Sequence, residues 1–292
     1  MTTRALSTVV ALGFLIASST SGAQNRPLPD QESFLIEARK HLQTDSMLQS
    51  SYVYVETRRE LDLDKGGRTR KETVKVFESY PGLPGEERWE QLIAEDGRPV
   101  QPEKLARQNR ERQQKANDMV QRLARDSSKE LARQERELQK ARHERDDAVS
   151  DIYNVFEIGM IGRQRVEEHE TIAFLLTPKR DAKPKTHAGD QMRHFSVRAW
   201  ISENDHELVK LEAEAIDNLK SGMGVLATLH RGTRLSFLRR KINGEVWLPA
   251  VASFNGSARV GLLFTLRRSG TSEFSGYRKY SVNTSEGFSV PK

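Results

Sequence analysis

Residues 103–150 contain neither glycine nor proline, and the run from Glu103 to Ala148 carries 13 Lys or Arg and 10 Asp or Glu. Nothing limits the fold of this chain more. A run this polar cannot bury a face broad enough to form half of a globular core, and without Gly or Pro it has nothing to break a helix. Its sparse apolar residues, Ala116, Met119, Val120, Leu123, Leu131 and Leu138, keep helical spacing. Two versions fit. One continuous helix would be about 65–70 Å long at 1.5 Å per residue. Alternatively, Ser127-Ser128-Lys129-Glu130 is a capping box that starts a second helix, and we expect the break near Asp126.

Outside this insertion the period changes. A helix is expected over 31–48, with Asp30 as its N-cap and Phe34, Ala38 and Leu42 along one face. Alternation then takes over: Tyr52 and Tyr54 against Val53 and Val55, a turn at Asp64-Lys65-Gly66-Gly67, and return through Val74 and Val76. A second hairpin runs from Arg88 through Trp89 and Ile93, turns at Asp96-Gly97 and leaves through Val100. After Ile152 the pattern is strands throughout. Ile172, Phe174 and Leu176 alternate, as do Phe195, Val197, Ala199 and Ile201, and Val209, Leu211, Ala213 and Ala215. Pro178 to Gly189 reads as a Lys-rich loop and Gly222 to Phe237 as a strand. Asn243-Gly244 marks a hairpin; Val260 to Leu266 and Phe274 to Val282 read as the last strands. The expected fold is α+β: a curled antiparallel sheet, an incomplete barrel, of about ten strands, with an N-terminal helix and a long charged helical insertion.

The first 23 residues read as a secretory signal peptide: Arg4, the apolar run Val9 to Ile16, and Ser21-Gly22-Ala23 before a cut that leaves Gln24 first. The expected organisation is signal peptide 1–23 and a single domain 24–292 with the helical insertion at 103–150. The absence of cysteine removes disulfides, thiolate metal sites, cysteine nucleophiles and a lipid-anchored N-terminus. The expected location is therefore the periplasm, exported and not lipid-anchored. A net charge of +6 favours solubility first and an anionic partner second.

The sequence offers no catalytic or metal motif. The seven histidines make no His-Glu-Xaa-Xaa-His, there is no Gly-Xaa-Ser-Xaa-Gly, and Ser221-Gly222-Met223-Gly224 lacks the Lys-Ser/Thr of a phosphate loop. Glu167-Glu168-His169-Glu170 reads as a solvated hairpin end rather than a cation site. The near-balanced charge of 103–150 and its lack of aromatics argue against nucleic acid. A lid or protein-docking helix is preferred there, and a purely structural helix fits about equally well. Aromatics on strand-like segments, Tyr52, Tyr54, Trp89, Phe195, Trp200, Phe237, Trp247 and Phe264, are the candidates to line a hydrophobic cavity, with plain core as the alternative for each.

The order of these parts resembles the outer-membrane lipoprotein-sorting superfamily, the LolA and LolB carriers and the related regulator RseB. The likeness is carried by the 31–48 helix leading into Ser51-Tyr52-Val53-Tyr54-Val55-Glu56 and by the stretch Arg198-Ala199-Trp200-Ile201-Ser202-Glu203-Asn204-Asp205-His206-Glu207-Leu208-Val209-Lys210-Leu211-Glu212. Trp247-Leu248-Pro249 before a long hairpin adds to it. The segment 103–150 departs from that pattern, being longer and more polar than the carriers' lid helices. The resemblance implies a half-open barrel over an apolar cavity, an acyl chain or lipoprotein as partner, docking to a membrane face or membrane protein, and no cofactor. The leading expectation is a non-enzymatic periplasmic carrier or sensor of acyl chains. The alternatives are a regulatory module that docks a partner through 103–150 and an enzyme with an unrecognised site.

Overall fold

The structure, a computed structural model, describes residues 26–49, 51–82, 88–125, 128–221, 227–260 and 264–280. The expected signal peptide, the Ser127 cap and the Gly222–Gly224 bend lie outside these residues.

The chain opens with α1 (Gln31–Gln49) and continues as β1 (Tyr52–Leu63), β2 (Thr69–Tyr80), β3 (Trp89–Glu95) and the short β4 (Arg98–Pro99). Two helical stretches follow, α2 (Pro102–Arg125) and α3 (Ser128–Val155), and the break expected near Asp126 lies outside the described residues. Then come β5 (Phe156–Val166), β6 (His169–Pro178), α4 (His187–Met192), β7 (Phe195–Ser202) and β8 (Leu208–Ala215). The last strands are β9 (Leu219–Ser221), β10 (Ala227–Leu229), β11 (Arg234–Ile242), β12 (Val246–Val260) and β13 (Phe264–Lys279).

Three expectations are corrected. The strands described number thirteen, where about ten were expected, the short β4, β9 and β10 making the difference. The short helix α4 sits where a loop was read, because Thr186 accepts the Gly189 N–H at 2.9 Å and starts a turn that sequence periodicity does not reveal. The alternation from Val260 to Leu266 is not one strand: β12 ends at Val260 and β13 begins at Phe264, so the pattern spans two paired strands.

All strands pair antiparallel in one open sheet, in the order β4-β3-β2-β1-β13-β12-β11-β8-β7-β6-β5, with β9 and β10 added beside β12. Two meanders are thus joined where the first strand meets the last. The ends of the path are β4 and β5, and α2 and α3 are the chain that runs from one edge to the other. Turn chemistry sets the register of the hairpins. Asn243 and Gly244 both take positive φ, 52° and 72°, as the central pair of a turn closed by the Glu245 N–H donating to the Ile242 carbonyl at 3.0 Å.

Directly opposed residues in antiparallel strands point to the same side. One row can therefore be followed across the sheet: Met160, Phe174, Ala199, Leu211, Phe237, Ala252, Ser272, Arg58, Lys75. It is apolar at the β5 end and ionic at the β2 end. The adjacent row, Leu175, Arg198, Glu212, Ser236, Ser253, Thr271, Arg59, is on the opposite face and is mainly polar. The main core forms on the first face where it is apolar. Phe34 of α1 and Val155 of α3 close over Phe156, Ile172, Phe174, Leu176 and Ala199.

Candidate functional site

The roof of the apolar face is built by short local bonds. Asp30 caps α1, accepting from the Ser33 N–H at 2.9 Å and the Ser33 hydroxyl at 2.7 Å, and these bonds hold its carboxyl below the usual range. The Gln31 carboxamide then fixes α1 to the sheet edge. It donates to the Ile158 carbonyl and accepts from the Met160 N–H, both at 2.9 Å, as a neighbouring strand would. Further along α1, Phe34 stacks on Phe174 with ring centroids 5.8 Å apart and meets the His206 ring at 4.7 Å. His41 lies 3.1 Å from Glu207, which also accepts from buried Arg239 at 3.2 Å.

The second wall is the end of α3. Lys179 closes this helix: its N–H donates to the Val155 carbonyl and its ammonium to the Tyr153 carbonyl, each at 2.8 Å. Asp151, fully buried, holds the following loop. It accepts from the Lys185 and Thr186 N–H groups and the Thr186 hydroxyl at 2.7–3.0 Å. Burial pushes its carboxyl up, but those bonds outweigh burial and keep it low. Gly189 packs so closely here that a Cβ would come within 2.2 Å of the Asp151 carboxylate.

Between roof and sheet lies a cavity of about 100 Å³. Leu35, Ala38 and Ile152 face it from the helices, and Phe174, Leu176, Val197, Ala199, Ile201 and Leu211 from the sheet. Two residues add polar atoms. Tyr153, whose hydroxyl is pushed up by burial, donates to the Leu35 carbonyl at 3.2 Å, and His206 lies at the β7–β8 turn. The arrangement offers no nucleophile or paired acid and base. It can exclude water from alkyl groups. Among the described residues no group of three or more His, Asp or Glu could hold a metal, and no helix is long and apolar enough to cross a membrane.

None of the eight aromatics singled out in the sequence lines this cavity. Phe195 and Phe237 are on the same face of the sheet, half-buried beyond the roof. Trp247 is buried with its N–H on Asp205 at 3.1 Å and its ring 4.6 Å from His169. Burial pushes Asp205 up, but Lys241 and Trp247, donating to it, hold its carboxyl low. Tyr52 is buried against Val246 and Leu248 and donates to Glu245. Tyr54 packs edge-on to Phe274 beneath the Arg88 guanidinium, 4.5 Å away. Trp89 and Tyr80 receive Arg112 of α2, whose guanidinium lies 4.4 Å from the indole, so this tryptophan anchors the insertion. Trp200 is on the opposite face, its N–H on Gln164 at 2.7 Å and Lys210 4.7 Å over its ring. Phe264 begins β13, and its side chain lies outside the described residues. The lining was missed because it is built of ordinary aliphatic strand residues. The alternation Phe174, Leu176, Val197, Ala199, Ile201 was the available signal.

An open antiparallel sheet with a helix-roofed apolar hollow defines the class of protein. No family model and no curated protein matches the chain. Solved structures to which it is similar include a LolA superfamily protein from Nitrosomonas europaea, at 8% identity over 90% of this chain and 99% of that one, with a TM-score of 0.28. A putative outer membrane lipoprotein-sorting protein domain from Vibrio parahaemolyticus is similar at 8% identity over 84% and 90%, with a TM-score of 0.33. The complex of MucA and MucB from Pseudomonas aeruginosa is similar at 9% identity over 86% and 99%, with a TM-score of 0.24.

Proposed function

We propose that this protein is a periplasmic, non-catalytic binder of acyl chains, free or on a lipoprotein, and that the chain enters beneath α1. One observation carries the reading: a cavity with an almost wholly apolar lining, roofed by a helix rather than closed by the sheet. Alkyl burial would supply about 0.8 kcal/mol per methylene. At about 100 Å³ the cavity is below the roughly 300–1,000 Å³ of small-molecule sites, so an acyl chain enters only as α1 shifts from Phe174 and Leu211.

Native mass spectrometry of the purified protein, with titration of a fluorescent fatty acid, tests this. A co-purified alkyl mass or saturable binding, weakened by Ala38→Leu in the cavity wall, is the expected result. A clean mass with no saturable binding overturns it.

A second reading rests on the insertion. From Glu103 to Glu144 the described side chains of α2 and α3 are largely exposed, and Gln91 and Arg112 tie α2 to the sheet. Such a surface suits docking a protein partner. Replacing 103–147 by a short linker would abolish partner capture yet leave acyl binding intact if docking is its role.

A further inference from the structure

Away from the cavity, the end of the β1–β2 hairpin lies beside the first residues of β13. Leu63 at the end of β1 pairs with Thr69 of β2 on one side and Arg267 of β13 on the other. Between them is a concavity of about 350 Å³ whose charged lining is Arg70, Lys71, Arg267, Arg268 and Asp62. The one carboxylate is already engaged, with Arg268 donating to Asp62 at 3.0 Å. Arg70, Lys71 and Arg267 form no ion pair among the described residues. The nearby acids have their closest partners elsewhere, Asp64 in Arg68 at 3.0 Å and Glu72 in Arg59 at 3.1 Å, although Asp64 also feels the charge of Arg70. Four cations against one carboxylate leave a net +3 around this end of the sheet, with Lys71 and Arg268 opposite Asp62 on one face and Arg267 opposite Leu63 on the other. A leucine accompanies the cations on each face, Leu63 beside Arg267 and Leu266 beside Arg268, the latter leucine 44% exposed.

We propose that this basic end of the sheet binds the phosphate head groups of anionic phospholipids and so docks the β1–β2 end of the molecule on a membrane surface. The cations recognise phosphate. The leucines commit the site to a lipid surface, because a soluble phosphate gains nothing from apolar side chains at the rim, whereas an interface takes them up. The inference goes beyond acyl-chain binding and does not depend on it. Each cation at an anionic surface is worth about a fivefold change in affinity, so three together give roughly 100-fold.

The experiment is co-sedimentation of the full chain with phosphatidylcholine vesicles and with vesicles containing about 30% phosphatidylglycerol, at low and high salt. Binding confined to the anionic vesicles, weakened by salt, and reduced roughly 100-fold in Arg70→Gln/Lys71→Gln/Arg267→Gln supports the proposal. These three side chains are exposed, so circular dichroism should show the fold unchanged. Leu266→Ser should weaken vesicle binding while the salt dependence persists. Equal binding to both vesicle types, or a triple variant that binds as the parent does, overturns it. So does calorimetric binding of glycerophosphate with no vesicle association, which would mark a soluble anion site. The fatty-acid titration is an independent readout: its failure removes the acyl reading and leaves the vesicle result standing.

Discussion

The two halves of one sheet face are held by different forces. From β5 to β11 the face is aliphatic and aromatic, and α1 and α3 exclude water from it. From β13 to β2 the same row continues as Ser272, Arg58 and Lys75. There Glu56, 4% exposed, accepts both arms of the Arg58 guanidinium at 2.9 Å and the Ser272 hydroxyl at 2.6 Å, with Arg58 lying 4.6 Å over the Phe77 ring. The difference shows where a ligand could sit. An apolar face under a helix can exchange its cover for an alkyl chain at little net loss. An ionic face cannot, since uncovering or reburying its charges without partners costs several kcal/mol. On the proposed acyl-chain reading, the half of the sheet that would take the ligand is therefore the half that α1 covers.

The sharpest way to test that contrast is to cut into each half. Phe174→Ala removes a fully buried ring at the centre of the apolar half and should lower unfolding free energy by about 3–5 kcal/mol. Because nothing charged is lost, the change measured by urea denaturation should be nearly independent of salt. Glu56→Ala cuts the ionic half and leaves Arg58 without its main acceptor, at a cost of about 1.5–3 kcal/mol. Added salt should narrow that gap between parent and variant, since part of what is lost is a charge interaction that salt screens. Equal costs for the two variants, or salt dependence in Phe174→Ala, would break the contrast.

At the junction of α1 with the sheet the forces mix. Arg163 donates to both oxygens of Glu203, at 2.7 and 2.6 Å, and to the carbonyls of Arg26 and Pro27 ahead of α1. The bond from Arg163 holds the Glu203 carboxyl below its ordinary value. A carboxyl lowered on folding stabilises above its unfolded value, near 4.5, and that contribution is lost as pH falls through the lower folded value. Glu203→Gln should thus cost about 1–2 kcal/mol at neutral pH. The cost should shrink below about pH 4.5, where the parent loses the same interaction. Thermal melts of both proteins between pH 3 and 7 measure it; parallel curves would show that the pair does not hold Arg26 and Pro27 ahead of α1.

Much of this was legible in the sequence. Alternation at Ile172-Phe174-Leu176 and Phe195 to Ile201 placed the apolar strands, the Gly- and Pro-free run placed α2 and α3, and Asn243-Gly244 placed a hairpin. What alternation could not give was partnership. It says that Trp200 is on one side of β7 and Ala199 on the other, but not which side α1 covers. That choice depends on where a helix 150 residues earlier in the chain packs. Large aromatics drew attention because they bury most area each, yet Trp89 and Trp200 do so under cationic side chains away from the main core. The closing of β1 onto β13 was equally invisible, being a contact between the two ends of the described sheet sequence.

Trp200 gives the finest test of sidedness. It is nearly buried, 5% exposed, but on the polar face, where its ring is covered by Lys210 and its N–H is satisfied by Gln164. Trp200→Phe keeps a ring in place and removes that one bond, so the expected cost is about 0.5–1.5 kcal/mol. More telling is what should not change. Fatty-acid affinity should be the parent's, because the whole sheet lies between this indole and the cavity beneath α1. The matching substitution across the pleat, Ala199→Leu, adds bulk to the cavity wall and should weaken the same ligand severalfold. If Trp200→Phe weakened the ligand and Ala199→Leu did not, the binding face would be the polar one, and the assignment of the two faces would have to be reversed.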